Sequence, residues 1–273
     1  MNTVSAARGW IWVRAGFALF RKNPAMWALQ VFSYIVLMQL LGLVPLLGWL
    51  AATMLIPVFA ASFMIISREL DQGRKLRFGL LFSGFRTNLP ALLRQGGFYL
   101  ASALAILGLS ALADGGVLLQ LMILGERPPA QAFEDGSLAG AAALAGTLYV
   151  PVLASFWFAP ALSAWRNLPA LQALFYSLVA AFRNWRAFFG YGVALLGLGL
   201  ACSVALFLLA LLVRGVFGNK SQDALMLVVL PVTLTYVPIL FASFYASYRD
   251  IFPEADAADA ADGAGAATDP GPG

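Results

Sequence analysis

Three short clusters carry the side chains best suited to grip an anion. They read Phe-Arg-Lys-Asn at Phe20–Asn23, Phe-Arg-Thr-Asn at Phe85–Asn88 and Phe-Arg-Asn at Phe182–Asn184. A guanidinium presents a rigid fork of donors that matches a phosphate or carboxylate bidentately. Arg21, Arg86 and Arg183 could therefore converge on one anionic ligand or on lipid headgroups. The same cluster also reads as architecture. Phe buries in the acyl boundary of a bilayer, Arg snorkels to lipid phosphates, and Asn breaks the helix so that the chain can turn inward.

Little other chemistry is on offer. The chain has no His and a single Cys, Cys202, in the run LGLACSVALF. Zinc, haem and iron–sulfur sites need clusters of such ligands, so no metal or cofactor is expected, and one Cys cannot form an intrachain disulfide. Cys202 reads as a small apolar residue inside a helix. No nucleophile with a base, no carboxylate pair inside an apolar run and no phosphate loop is present, so no catalytic residue and no enzyme is expected. Asp114, Glu126, Glu134 and Asp135 fall in or beside a loop containing Pro-Pro and Gly, where solvation explains them.

The elements that must position these groups follow from composition. Of 273 residues, 61% are hydrophobic and only 11% charged, with mean hydropathy +0.83. Soluble domains are about 45–50% apolar and about 25% charged, and a soluble fold of this length could not hide so much apolar surface. The solvent is a membrane. No charged residue occurs from Pro24 to Ser67, room for two crossings of about 20 residues each. The turn between them is expected near Gly42–Gly48, where Gly and Pro interrupt the pattern. Further charge-free runs are Gln95–Ala113, Ser137–Trp165, Ala187–Val213 and Ala224–Tyr248, which makes six spans. Gly115–Gly125 is too short to cross and extends the third helix or lies in the interface. The first run merges into the second, which predicts a retained helix and not a cleavable leader.

Basic residues fix an orientation. Fourteen of the 17 Lys and Arg precede span one, follow span six, or lie between spans two and three or four and five. The other side holds only Arg127, Arg214 and Lys220, beside several acids. The positive-inside bias then places both termini in the cytoplasm. Because the basic residues track the membrane surface, no nucleic-acid partner is expected. The end of the chain, 253–273, is acidic and rich in Ala, Gly and Pro, and reads as a disordered tail.

Aligning the clusters exposes a repeat. Large apolar residues stand at i, i+4 and i+7 ahead of each Arg: Val13, Phe17, Phe20; Phe78, Phe82, Phe85; Phe175, Val179, Phe182. That spacing makes one apolar stripe on a helix. The far ends of the even spans also match, ASFMIISR at Ala61–Arg68 with ASFYASYR at Ala242–Arg249, and more loosely APALSAWR at Ala159–Arg166. Residues 1–252 are thus expected to form one all-α polytopic membrane domain. It comprises three tandem units (about 8–73, 74–167 and 168–252), each an interfacial amphipathic helix followed by a transmembrane hairpin of parallel topology.

Two features inside the spans bear on function. Pro57, Pro151, Pro160, Pro231 and Pro238 stand in the even spans, where each frees a backbone carbonyl and is a candidate helix kink. The alternative is a broken helix lining a cavity. In-span polar residues such as Gln30, Gln39, Thr147, Tyr149, Thr233, Thr235 and Tyr236 are uncharged. Intramembrane ionisable groups usually mark ion pathways, so this pattern counts against an ion-coupled pump or a carrier of charged substrates.

The stretches ARGWIWVRAGFALFRKNPAMW and SFYASYRDIF resemble a family of proteobacterial six-helix inner-membrane proteins. More loosely they resemble the YciC-like proteins and the membrane domain of some glycerophosphodiester phosphodiesterases. The resemblance covers nearly the whole chain except the acidic tail. It implies a bacterial inner-membrane location and the same hairpin layout, and no activity transfers to positions here. Two functions are left open. One is a non-enzymatic protein that organises membrane lipids, or binds other membrane proteins or its own copies. The other is a channel or facilitator for a small uncharged solute, with the Pro-bearing even helices around a pore.

Overall fold

The computed structural model describes residues 1–45, 47–217 and 222–253. Lys220 and the expected tail from residue 254 onward lie outside them. Every regular element among the described residues is helical: α1 (Arg8–Lys22), α2 (Pro24–Gly42), α3 (Leu47–Asp71), a 3-10 helix (Phe78–Arg86), α4 (Leu89–Asp114), α5 (Val117–Leu124), α6 (Ala130–Glu134), α7 (Ser137–Arg166), α8 (Ala170–Arg183), α9 (Trp185–Phe217) and α10 (Gln222–Ile251). Of these, α2, α3, α4, α7, α9 and α10 are the six long and apolar enough to cross a bilayer. The expected all-α, six-span fold is what forms. The segment after α4 does not extend that helix. Gly115 and Gly116 both take left-handed backbone, and α5 starts as a separate element. The Asp114 carboxylate accepts the N–H of Gly116 (2.9 Å) and of Leu118 (2.7 Å), which occupies donors at the start of α5.

The Asn residues of the clusters show how a helix is stopped and restarted. Asn23 ends α1, and its Oδ1 accepts the Met26 N–H at 3.2 Å while Pro24 takes the first position of α2. Asn88 repeats this for α4, accepting the Ala91 N–H at 3.3 Å with Pro90 in the first turn. Asn23→Ala and Asn88→Ala are each expected to lower stability by about 1 kcal/mol, read as an earlier thermal unfolding in detergent. Unchanged melting would mean that the proline alone sets the break.

Asn184 behaves differently. It is buried, its Oδ1 accepts the Val4 N–H at 2.8 Å, and its Nδ2 donates to the carbonyls of Asn2 (3.1 Å) and Ala180 (2.9 Å). It clamps the N-terminal segment.

By packing, the chain divides into two compact units. The first holds Met1–Leu40, Phe59–Thr87 and the described residues of Ala180–Gly273; the second holds Leu41–Val58 and Asn88–Val179. In the first, α1 lies on α9 and α10. Gly9 and Gly16 permit this approach: a Cβ on Gly9 would stand 2.6 Å from the Ala187 carbonyl, and one on Gly16 2.5 Å from that of Ile239. The Trp12 ring packs on Phe188 (5.6 Å between centroids) and Tyr191 (5.8 Å). Phe63 of α3 stacks on Phe241 of α10 at 4.3 Å. Two ion pairs close the basic ends, Arg8 with Asp250 at 2.6 Å and Arg249 with Asp71 at 2.5 Å. Hydrogen bonding to Asp250 raises the pKa of the Arg8 guanidinium, against a smaller lowering by burial.

In the second unit α4 and α7 run antiparallel. Gln95 Nε2, early in α4, donates to the Ala159 carbonyl (3.1 Å) and Ser163 Oγ (2.8 Å), late in α7. Further along, the hydroxyls of Tyr99 and Tyr149 share a hydrogen bond. Lipid tails are as apolar as leucine, so such bonds and close packing, not hydrophobic burial, hold helices together in hydrocarbon.

Candidate functional site

The helices that bear the clusters have two apolar faces. On α1, Trp12, Val13, Gly16 and Leu19 turn inward, whereas Trp10 and Phe17 are exposed. On the 3-10 helix, Leu81 and Gly84 are buried while Phe78 and Phe82 lie outside. On α8, Ala173, Ser177 and Ala180 are buried while Phe175 and Phe182 lie outside. On the inner faces Gly16, Gly84 and the Ala and Ser residues of α8 let backbones approach, and on the outer faces Phe17, Phe82 and Phe175 suit an acyl boundary.

Arg21, Arg86 and Arg183 are exposed at the ends of these helices, and no described carboxylate pairs with any of them. Arg21 sits over the Phe17 ring, 5.9 Å from its centroid. What the structure brings together is Arg21 with Arg14, a residue outside the cluster pattern. Trp10, Arg14, Phe17 and Arg21 succeed one another at steps of four, three and four along α1, so they share one face. With α9 and α10 that face bounds a groove of about 1060 Å³ within the first unit. Ala194, Gly197, Ala201 and Cys202 line it from α9, and Pro231 and Thr235 from α10. The Thr235 hydroxyl donates to the Pro231 carbonyl at 2.9 Å, so its hydrogen is held within its own helix. The stripe of Val13, Phe17 and Phe20 read from the sequence divides here, Val13 buried and Phe17 exposed, because an inward face and one facing lipid are equally apolar.

The candidate kinks lie inside helices that run on past them. Pro57 stands in α3, Pro151 and Pro160 in α7, and Pro231 and Pro238 in α10. Pro57, Pro160 and Pro238 are buried, and Pro151 and Pro231 exposed. Next to Pro160 a hydroxyl enters the helix ladder. Ser177 Oγ accepts the Phe158 N–H at 2.9 Å and donates to the Ala154 carbonyl at 2.8 Å. A side chain inserted this way is one of the recognised causes of a local helix bend, and it supplies partners for backbone groups that hydrocarbon cannot satisfy.

No protein-family model matches the chain, and no solved structure matches it. A protein of Burkholderia thailandensis, named a probable inner membrane protein, is 40% identical over 255 residues, covering 91% of this chain and 92% of that protein. Identity of that extent spans nearly the whole length of both chains. The chain is a multi-pass membrane protein and belongs to the same family as this Burkholderia thailandensis protein.

Proposed function

We propose that the protein is a non-enzymatic inner-membrane protein that organises anionic lipid, with its three interfacial helices as the working surface. One observation carries this reading: each such helix ends in an exposed arginine without a described acidic partner, next to exposed phenylalanines. An aromatic face with a cationic end suits the headgroup region of a leaflet rich in anionic lipid. The inner membrane is the location, by kinship with a probable inner membrane protein and by the six apolar helices. Both termini are cytoplasmic on the bias of basic residues. A solute facilitator would ask for a polar path, and the groove on α1 is apolar apart from Arg14, Arg21, Thr235 and Tyr236.

The three-unit layout is part of the proposal, and a recurring partnership supports it. The 3-10 helix meets α3 where the Gly84 N–H donates to Ser62 Oγ at 2.9 Å. The helix α8 meets α7 through Ser177, and α1 meets α10 where Gly16 abuts Ser243. Ser62 and Ser243 occupy the same place in the matching ASF segments. The kinship with YciC-like proteins and phosphodiesterase membrane domains rests on the short terminal segments alone.

Native mass spectrometry with phosphatidylglycerol tests the function. The combined Arg21→Ala, Arg86→Ala and Arg183→Ala variant should stay folded and retain about tenfold less of that lipid, from loss of about 1 kcal/mol per arginine partly offset by remaining basic residues. Retention equal to wild type would sink the reading.

A further inference from the structure

We infer that the groove bounded by α1, α9 and α10 holds one anionic glycerophospholipid, its acyl chain between α9 and α10 and its phosphate on Arg14 and Arg21. The inference rests on the lipid-organising reading above and assigns it a single site. Size, charge and the flanking side chains each point the same way.

The groove measures about 1060 Å³, just above the range of pockets that enclose small molecules, about 300–1,000 Å³. It is open because α9 lines it with small residues. A Cβ on Gly197 would meet no atom within 4 Å, and Ala194 and Ala201 stand one turn to either side. From residue 192 to 212 no residue of α9 is buried within the protein, so that stretch leaves a side to be covered by lipid.

The rim supplies the charge. Arg14 and Arg21 lie two turns apart on one face of α1, about 10 Å along the axis, close enough for both flexible side chains to reach a phosphate between them. No described carboxylate pairs with either. Two uncompensated guanidiniums beside an apolar channel complement a molecule with an anionic head and a hydrocarbon tail. Trp10 and Phe17 line the same rim, where amphipathic and aromatic rings favour the headgroup level. An acidic protein segment would match the arginines but not a channel with so few polar groups.

The test uses the full chain, phosphatidylglycerol with a photoactivatable diazirine in one acyl chain, and phosphatidylcholine as the neutral control. Adducts should concentrate in 194–202 and 231–239, with phosphatidylglycerol strongly preferred. Gly197→Leu places a side chain in the open groove and should remove most of the labelling. Gly199→Leu, also in open space and not part of the lining, should leave it unchanged and controls for folding. Arg14→Ala should weaken retention about fivefold. The Arg86→Ala, Arg183→Ala double variant should keep this labelling. Labelling spread over the spans, or labelling in Gly197→Leu equal to wild type, overturns the groove site. If the double variant alone then loses lipid, the broader surface reading survives that failure. If no variant changes lipid retention, both fall.

Discussion

Replacing Asp250 with alanine is expected to destabilise the protein by about 3 kcal/mol, a cost that follows from how many donors one carboxylate serves. Arg8 reaches it with Nε at 2.8 Å and Nη2 at 2.6 Å, and Trp12 adds its indole N–H at 2.6 Å. The carboxylate side chain is 14% exposed and that of Arg8 39%. Truncation leaves the Trp12 N–H without an acceptor at a residue only 1% exposed, and it leaves Arg8 without its counter-charge. Breaking a fully buried pair costs about 3–5 kcal/mol, but Arg8 can rehydrate, which puts the effect at the low end. The outer pair Arg74–Glu69 provides the contrast. Arg74 is 55% exposed, so Glu69→Ala should cost under about 1 kcal/mol. Thermal unfolding in detergent measures both. If Asp250→Ala melts with wild type, the carboxylate is not what fastens α1 to α10.

The second large effect separates two adjacent glycines. Gly96→Ala is expected to cost about 3 kcal/mol or more, because a Cβ there would stand 2.6 Å from the Met54 Cα and collide with the Met54 carbonyl. Both are backbone atoms, so relief requires α3 and α4 to separate. That shift would also pull Gln95 away from Ala159 and Ser163. Gly97 meets nothing within 4 Å, and alanine is the better helix former by about 1 kcal/mol. Gly97→Ala should therefore be neutral or slightly stabilising. Expression level with a folding reporter, together with thermal unfolding, should show a large loss for Gly96→Ala and none for Gly97→Ala. Equal behaviour of the two would mean that α4 does not seat on α3 at Met54.

The contrast between Gly96 and Gly97 shows where reading the sequence stops. Spans were legible because hydrocarbon demands long uncharged helices, and the breaks at Asn23 and Asn88 were legible because proline follows each. The third cluster was a weaker match than it looked. In Phe182–Asn184 the Asn follows Arg directly and no proline comes after, and that one-residue difference accompanies a different job, the clamp on Asn2 and Val4. Periodicity also could not say which apolar face points inward. Beside lipid both faces are apolar, so Phe17 and Phe82 were as eligible for the core as Trp12 and Leu81, which took it together with Gly16 and Gly84. Arg14 escaped notice for a related reason. It belongs to a groove that exists only when α9 and α10 arrive beside α1.

The seat of α1 on α9 and α10 has a consequence in time. Helix α1 leaves the ribosome well before α9 and α10, on which it docks, with Asn2 donating to the Ile251 carbonyl and Arg8 held by Asp250. At bacterial synthesis speeds of about 5–20 residues per second, roughly 10–50 s separate the two events. During that interval α1 lacks the helices it packs on, and the leaflet surface proposed above for its aromatic and arginine face would hold it. A chain that stalls before α10 leaves Gly16 uncovered, the Trp12 indole N–H without its acceptor and Asn2 unfastened. A truncation within α10 is therefore felt first at α1, more than 200 residues away in sequence.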